Sequence, residues 1–149
     1  MCGFAATNYS DPIISNKHCQ HRGPDMTTAE KIRGVYYLHN LLHITGELTP
    51  QPLIKDDVVC VFNGEIYNYT SFGNYNSDSE CIIDLYNTKG EHFVKELDGE
   101  FALCLIDYKK QKLIISVDTF SCKPLWYEMR NDKFCIASYN SQLHGLGFK

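Results

Sequence analysis

The sequence predicts an α+β domain built in layers, and three stretches carry that reading. Glu100 to Asp107 (EFALCLID) and Lys112 to Asp118 (KLIISVD) are apolar runs joined by the polar turn Tyr108 to Gln111, the pattern of a β-hairpin. Leu125 to Glu128 and Lys133 to Ser138 repeat it around Asn131-Asp132. Ahead of both, Ser77 to Glu80 opens a helix with acids in its first turn. Ile82, Ile83, Leu85 and Tyr86 then place a stripe at 3.6-residue spacing before Gly90 stops it. With 149 residues the chain fits one domain, 1–149, long enough to bury about two-thirds of its unfolded surface.

The remaining elements follow in order. Residues 2–6, CGFAA, read as a short buried strand. Asp11-Pro12 is a helix start, with Asp as cap and Pro in the first turn, and the helix ends before Arg22-Gly23-Pro24-Asp25. Gly34 to Ile44 reads as one or two strands, and Asp57 to Phe62 (DVVCVF) as a buried one. Thr45 to Pro52 is expected to be loop. A short helix over His92 to Leu97 precedes the first hairpin, and another over Asn140 to Leu143 closes the chain.

Composition narrows the function classes. The chain is 44% hydrophobic and 21% charged, with a formal net charge of -4, so it lacks the basic surface of a nucleic-acid binder. No apolar run is long enough for a membrane span, and no secretory leader is recognisable. Seven scattered cysteines without a C-x-x-C pair fit a reduced, cytoplasmic setting. His18-Cys19-Gln20-His21 lacks a second ligand cluster at zinc spacing, and neither a metal nor another cofactor is called for.

Two features point to chemistry. Cys2 directly follows the initiator methionine; once Met1 is removed it carries a thiol and its own base, an α-amine titrating at about 7.7 to 8.0. Asn63-Gly64 follows the DVVCVF strand. It is the strongest short hairpin signal, yet Ile66-Tyr67-Asn68-Tyr69 does not continue as a returning strand. An Asn amide and a Gly backbone N–H can together bind an oxyanion.

These motifs jointly resemble one family. MCGF, HRGPD, LHNLLHITGE, NGEIYNY, SDSE, LDGEFALCLID, KPLWYE and IAS, in this order over residues 1 to about 138, resemble the glutaminase domain of class II glutamine amidotransferases. Among these, the asparagine synthetase domain is the closest in pattern. The resemblance implies an N-terminal-nucleophile hydrolase fold, a four-layer αββα sandwich of two antiparallel sheets. It implies hydrolysis of the glutamine side-chain amide to glutamate and ammonia through a thioester on Cys2. Asn63 and Gly64 would form the oxyanion hole, Asp78 and Glu65 would hold the substrate's α-amine, and Arg22 would sit beside the nucleophile as part of the substrate pocket. The implied substrate is a small amide, and the ammonia acceptor would be a separate asparagine-synthetase-like protein. No nucleic acid or membrane is implied, and a homodimer is compatible with the pattern.

Three departures matter. Leu41 stands where the family's arginine pairs with the glutamine α-carboxylate. An unpaired buried carboxylate costs about 2 to 5 kcal/mol, unless Arg22, Lys55 or Lys123 reaches it instead. Val117 and Ser121 replace an arginine and a glycine beside the KPL segment, which bears on coupling to a partner domain. The chain reads as a glutaminase-like domain alone, without a synthetase domain or a phosphate loop. Three readings stay open: an active glutaminase, an amidohydrolase on a different amide, and a degenerate, non-catalytic domain with a binding or regulatory role.

Overall fold

Residues 1–148 are described by the computed structural model. The strands, in chain order, are β1 (Gly3–Thr7), β2 (Met26–Ile32), β3 (Val35–Leu41), β4 (Leu53–Lys55) and β5 (Val58–Ile66). After helix α1 (Cys81–Lys89) come β6 (Gly99–Asp107), β7 (Lys112–Val117), β8 (Trp126–Arg130), β9 (Lys133–Ala137) and helix α2 (Asn140–Gly145). They pair antiparallel into two sheets, ordered β2-β3-β1-β9-β8 and β4-β5-β6-β7.

Successive residues of a strand point to opposite faces, and the central strands bury both. Phe4, Ala6, Val35 and Tyr37 of one sheet meet Val59, Val61, Ala102 and Cys104 of the other. The second set, Cys60, Phe62, Leu103 and Leu105, packs outward against Ile82 and Tyr86 of α1 and against Phe93. Ala5, Leu38, Cys135 and Ala137 pack outward against Leu143 and Leu146 at the C-terminal helix. Each large aliphatic side chain so buried contributes about 1.5–3 kcal/mol. The order of layers is helix, sheet, sheet, helix, as the resemblance implies.

Local readings hold where they rest on caps and hairpins. Asp11 Oδ1 accepts from the Ile13 N–H at 3.0 Å and starts a 3₁₀ helix over Pro12–His18. Both C-terminal hairpins form, β6 with β7 and β8 with β9. Elsewhere the structure departs from expectation. Strand β2 was not anticipated, because MTTAEKI lies at a sheet edge with almost no buried side chain and so lacks the apolar alternation of a strand. Of Gly34 to Ile44, Val35–Leu41 forms a single strand. The expected loop up to Pro52 gives way at once to the three-residue edge strand β4. Asn63-Gly64 is no hairpin: β5 runs straight through it to Ile66, paired along its whole length with β6. Gly90 ends α1 at φ +68°, and a 3₁₀ helix over Gly90–Glu96 follows directly.

His39, 1% exposed, marks the packing of β3 on β5, with Nε2 3.1 Å from the Phe62 carbonyl oxygen. Burial pulls its pKa from 6.5 down to about 4, against a smaller upward pull from that carbonyl. The unfolded chain therefore binds a proton on His39 throughout a window in which the folded chain does not. The stability involved is fully present above pH 6.5 and is lost as pH falls toward about 4, by about 3 kcal/mol when complete. Urea unfolding at neutral pH and at about pH 5 should differ accordingly, and His39→Leu should flatten the difference. A pH dependence unchanged in His39→Leu would count against this origin.

Candidate active site

Strand periodicity delivers the site. Phe4 and Ala6 face the gap between the sheets, so Cys2, two residues earlier, faces it too at the open end. Val59 and Val61 place Asn63 on that same side of β5, and Tyr37 places His39 and Leu41 on that side of β3. Three strands thus bring Cys2, Leu41 and Asn63 to the walls of one cavity, which Gly64, Glu65, Asp78 and Lys123 complete.

Cys2 Sγ lies 3.3 Å from the Leu42 N–H, from which it accepts, and 3.6 Å from the Leu42 carbonyl oxygen. Burial raises its thiol pKa, opposed by the Leu42 N–H and the nearby terminal amine. The sulfur is therefore a protonated thiol at neutral pH and needs a base to react. Met1 also lines the cavity, so in this form the amine beside the pocket is Met1's; burial lowers its pKa. Arg22 does not line the cavity. Its Nε donates to the Cys2 carbonyl at 2.9 Å and its Nη1 to the Tyr139 hydroxyl at 3.1 Å, with the guanidinium 5.2 Å from the Tyr139 ring centre. This side chain clamps the N-terminal strand and so aims Cys2.

Asn63 is fully buried, and among the described residues neither its Nδ2 nor its Oδ1 has a partner. An unmet buried amide costs about 1–3 kcal/mol, so this one is kept at a cost in stability beside the thiol. Gly64 follows at φ +148°, where a Cβ would fall 2.1 Å from the Glu100 carbonyl oxygen. Only glycine fits there, which leaves the backbone bare on the cavity side.

Asp78 also lines the cavity, its Oδ2 accepting from the Ile66 N–H at 2.9 Å. Burial raises its pKa, the Ile66 N–H opposes this, and Glu65 adds a further upward push. An arriving ammonium would relieve both. Glu65 Oε2 accepts from the Thr45 hydroxyl at 3.2 Å. The sequence-named residues Cys2, Asn63, Gly64, Glu65 and Asp78 are thus brought together, while Arg22 stands behind them.

Of the three cations able to replace the family's arginine, Lys123 alone lines the cavity, and its Nζ is 2.7 Å from Glu100 Oε1. Lys55 pairs with Asp84 at the outer surface. Leu41 is itself part of the cavity wall. Gln51 was not foreseen as a site residue. Its Oε1 accepts from the Phe62 N–H at 2.6 Å and steadies β5 one residue before Asn63; it was hidden in what read as loop. Val117 ends the edge strand β7, and Ser121 adopts φ +53°, the left-handed conformation that suits the family's glycine. Among the described residues no group of three or more His, Cys, Asp or Glu side chains is placed to hold a metal ion, and no helix is long and apolar enough to cross a membrane.

The structure thus combines a four-layer sandwich of two antiparallel sheets with a near-terminal thiol on the wall of an inter-sheet cavity. Residues 1–147 match the profile of the glutamine amidotransferase domain, and the chain belongs to that family. It is 36% identical over 128 residues to the putative asparagine synthetase [glutamine-hydrolyzing] 1 of Methanocaldococcus jannaschii, covering 78% of this chain and 23% of that protein. The probable asparagine synthetase [glutamine-hydrolyzing] of Schizosaccharomyces pombe is 32% identical over 98% of the chain and 30% of its own length. The chain thus spans under a third of these two relatives. The solved structure of glutamine phosphoribosylpyrophosphate amidotransferase from B. subtilis superposes with a TM-score of 0.73 at 18% identity, over 98% of this chain and 44% of that one. The architecture is therefore the N-terminal-nucleophile hydrolase fold.

Proposed function

We propose that this chain hydrolyses the side-chain amide of glutamine, or of an analogue that keeps its amide arm and α-amine, to the carboxylate and ammonia. With Met1 removed, the Cys2 amine takes the thiol proton through one water. The thiolate adds to the amide carbon, and the Asn63 amide and Gly64 N–H receive the oxyanion. Collapse breaks the C–N bond and releases ammonia, which carries away the proton. Water then resolves the Cys2 thioester to free thiol and carboxylate. Asp78 and Glu65 hold the substrate's ammonium. The released ammonia would serve an acceptor site of the asparagine-synthetase type.

The observation that supports this reading most is the fully buried, unpartnered Asn63 amide lining the cavity that Cys2 also lines. A donor kept unsatisfied at rest is suited to a charge that appears only during reaction. Leu41 and Val117 favour the competing reading, a degenerate domain that binds without turning over.

The two separate on protein whose intact mass shows Met1 removed. Such protein should release ammonia from a panel of primary amides that includes glutamine, whereas protein retaining Met1 should not, since its Cys2 has no free amine. Folded, processed protein that releases ammonia from none of them would sink the catalytic reading.

A further inference from the structure

The cavity carries charge of mainly one sign. Glu47, Glu65, Asp78 and Glu100 line it, and the facing cation, Lys123, is engaged by Glu100 at 2.7 Å. Of the other basic groups nearby, the α-amine at the start of the chain serves, in the processed protein, as the base on Cys2, and the remaining two are occupied. Arg22 is held by the Cys2 carbonyl and the Tyr139 hydroxyl, and the His43 ring has its Nε2 2.7 Å from the Gly46 carbonyl oxygen. Leu41, only 6% exposed, closes the wall on the β3 side with an aliphatic surface.

A free amino-acid amide brings two ionic groups, an ammonium and a carboxylate. The ammonium finds Asp78 and Glu65, the first of them with its pKa raised by burial and, further, by the neighbouring Glu65 carboxylate. The carboxylate would find leucine and further carboxylates. Together with the unmet Asn63 amide, which calls for a reacting carbonyl, this points to a ligand that is an amide at one end and a cation at the other. We infer that the site selects primary amides bearing a cationic amine and no free α-carboxylate. The inference rests on the reading of Cys2 as nucleophile given above. The chemistry is unchanged: the C–N bond breaks, ammonia leaves, and water supplies the hydroxyl of the product acid.

Three probes differ in their ionic groups alone. 4-Aminobutanamide has the amine only, L-glutamine has both groups, and glutaramate has the carboxylate only. On processed protein, kcat/KM for 4-aminobutanamide should exceed that for glutamine by about 30-fold or more, with glutaramate slowest. Leu41→Arg should reverse the order of the first two by supplying a partner for the carboxylate. Calorimetry on Cys2→Ala protein should rank the same ligands by affinity without turnover. Glutamine preferred over 4-aminobutanamide in the unmodified protein would overturn the inference while leaving the hydrolase reading intact. Hydrolysis of none of the three would overturn both.

Discussion

Cys2→Ala protein, purified with Met1 removed, should release no ammonia from any amide that the parent hydrolyses. Loss of a nucleophile in a hydrolase of this kind costs roughly 10⁶ in kcat. No other cysteine is placed to substitute. Cys19 is fully buried, its pKa pushed up to about 11 by desolvation, and it is absent from the cavity lining. Cys122 is exposed but also outside that lining. Cys2 is half-buried and, among the described residues, its sulfur bonds only with the Leu42 backbone, so the fold should survive the change. Unfolding midpoints should move little while product formation falls to background. Ammonia release that persists in Cys2→Ala would show that the chemistry lies elsewhere.

Asn63→Ala should lower kcat by about 10²–10³ with little change in KM, because its donor is needed when the oxyanion forms and not before. The expected stability change runs the other way. Both amide atoms are buried without a partner, so their removal relieves a desolvation penalty of about 1–3 kcal/mol that no hydrogen bond offsets. Thermal unfolding should therefore be unchanged or higher in Asn63→Ala. A residue held for function rather than packing shows this pairing of lost rate with retained or gained stability. A lowered midpoint with kcat intact would assign Asn63 to the framework instead.

The hairpins and the helix over residues 81–89 were legible because hydrophobic period and turn chemistry act over a few neighbouring residues. Edge strands β2 and β4 were not, since strands that bury little of themselves carry little pattern. Asn63-Gly64 shows the limit from the other side. As a dipeptide it encodes a turn, but nine consecutive pairings with β6 hold the chain extended there, and the long-range ladder overrides the local preference.

The site divides in the same way. The amino-acid sequence by itself determined which groups are available: a thiol that can gain its own amine, an amide beside a glycine, acids at 65 and 78, and a leucine at position 41. These are matters of covalent identity. Only the tertiary structure decided that β1, β3 and β5 turn Cys2, Leu41 and Asn63 into one cavity, that Arg22 stands behind it, and that Lys123 is engaged by Glu100. Those outcomes depend on strand register and on packing between residues as many as 134 positions apart, as in the bond from the Phe4 N–H to the Ser138 hydroxyl. No local window of sequence contains them.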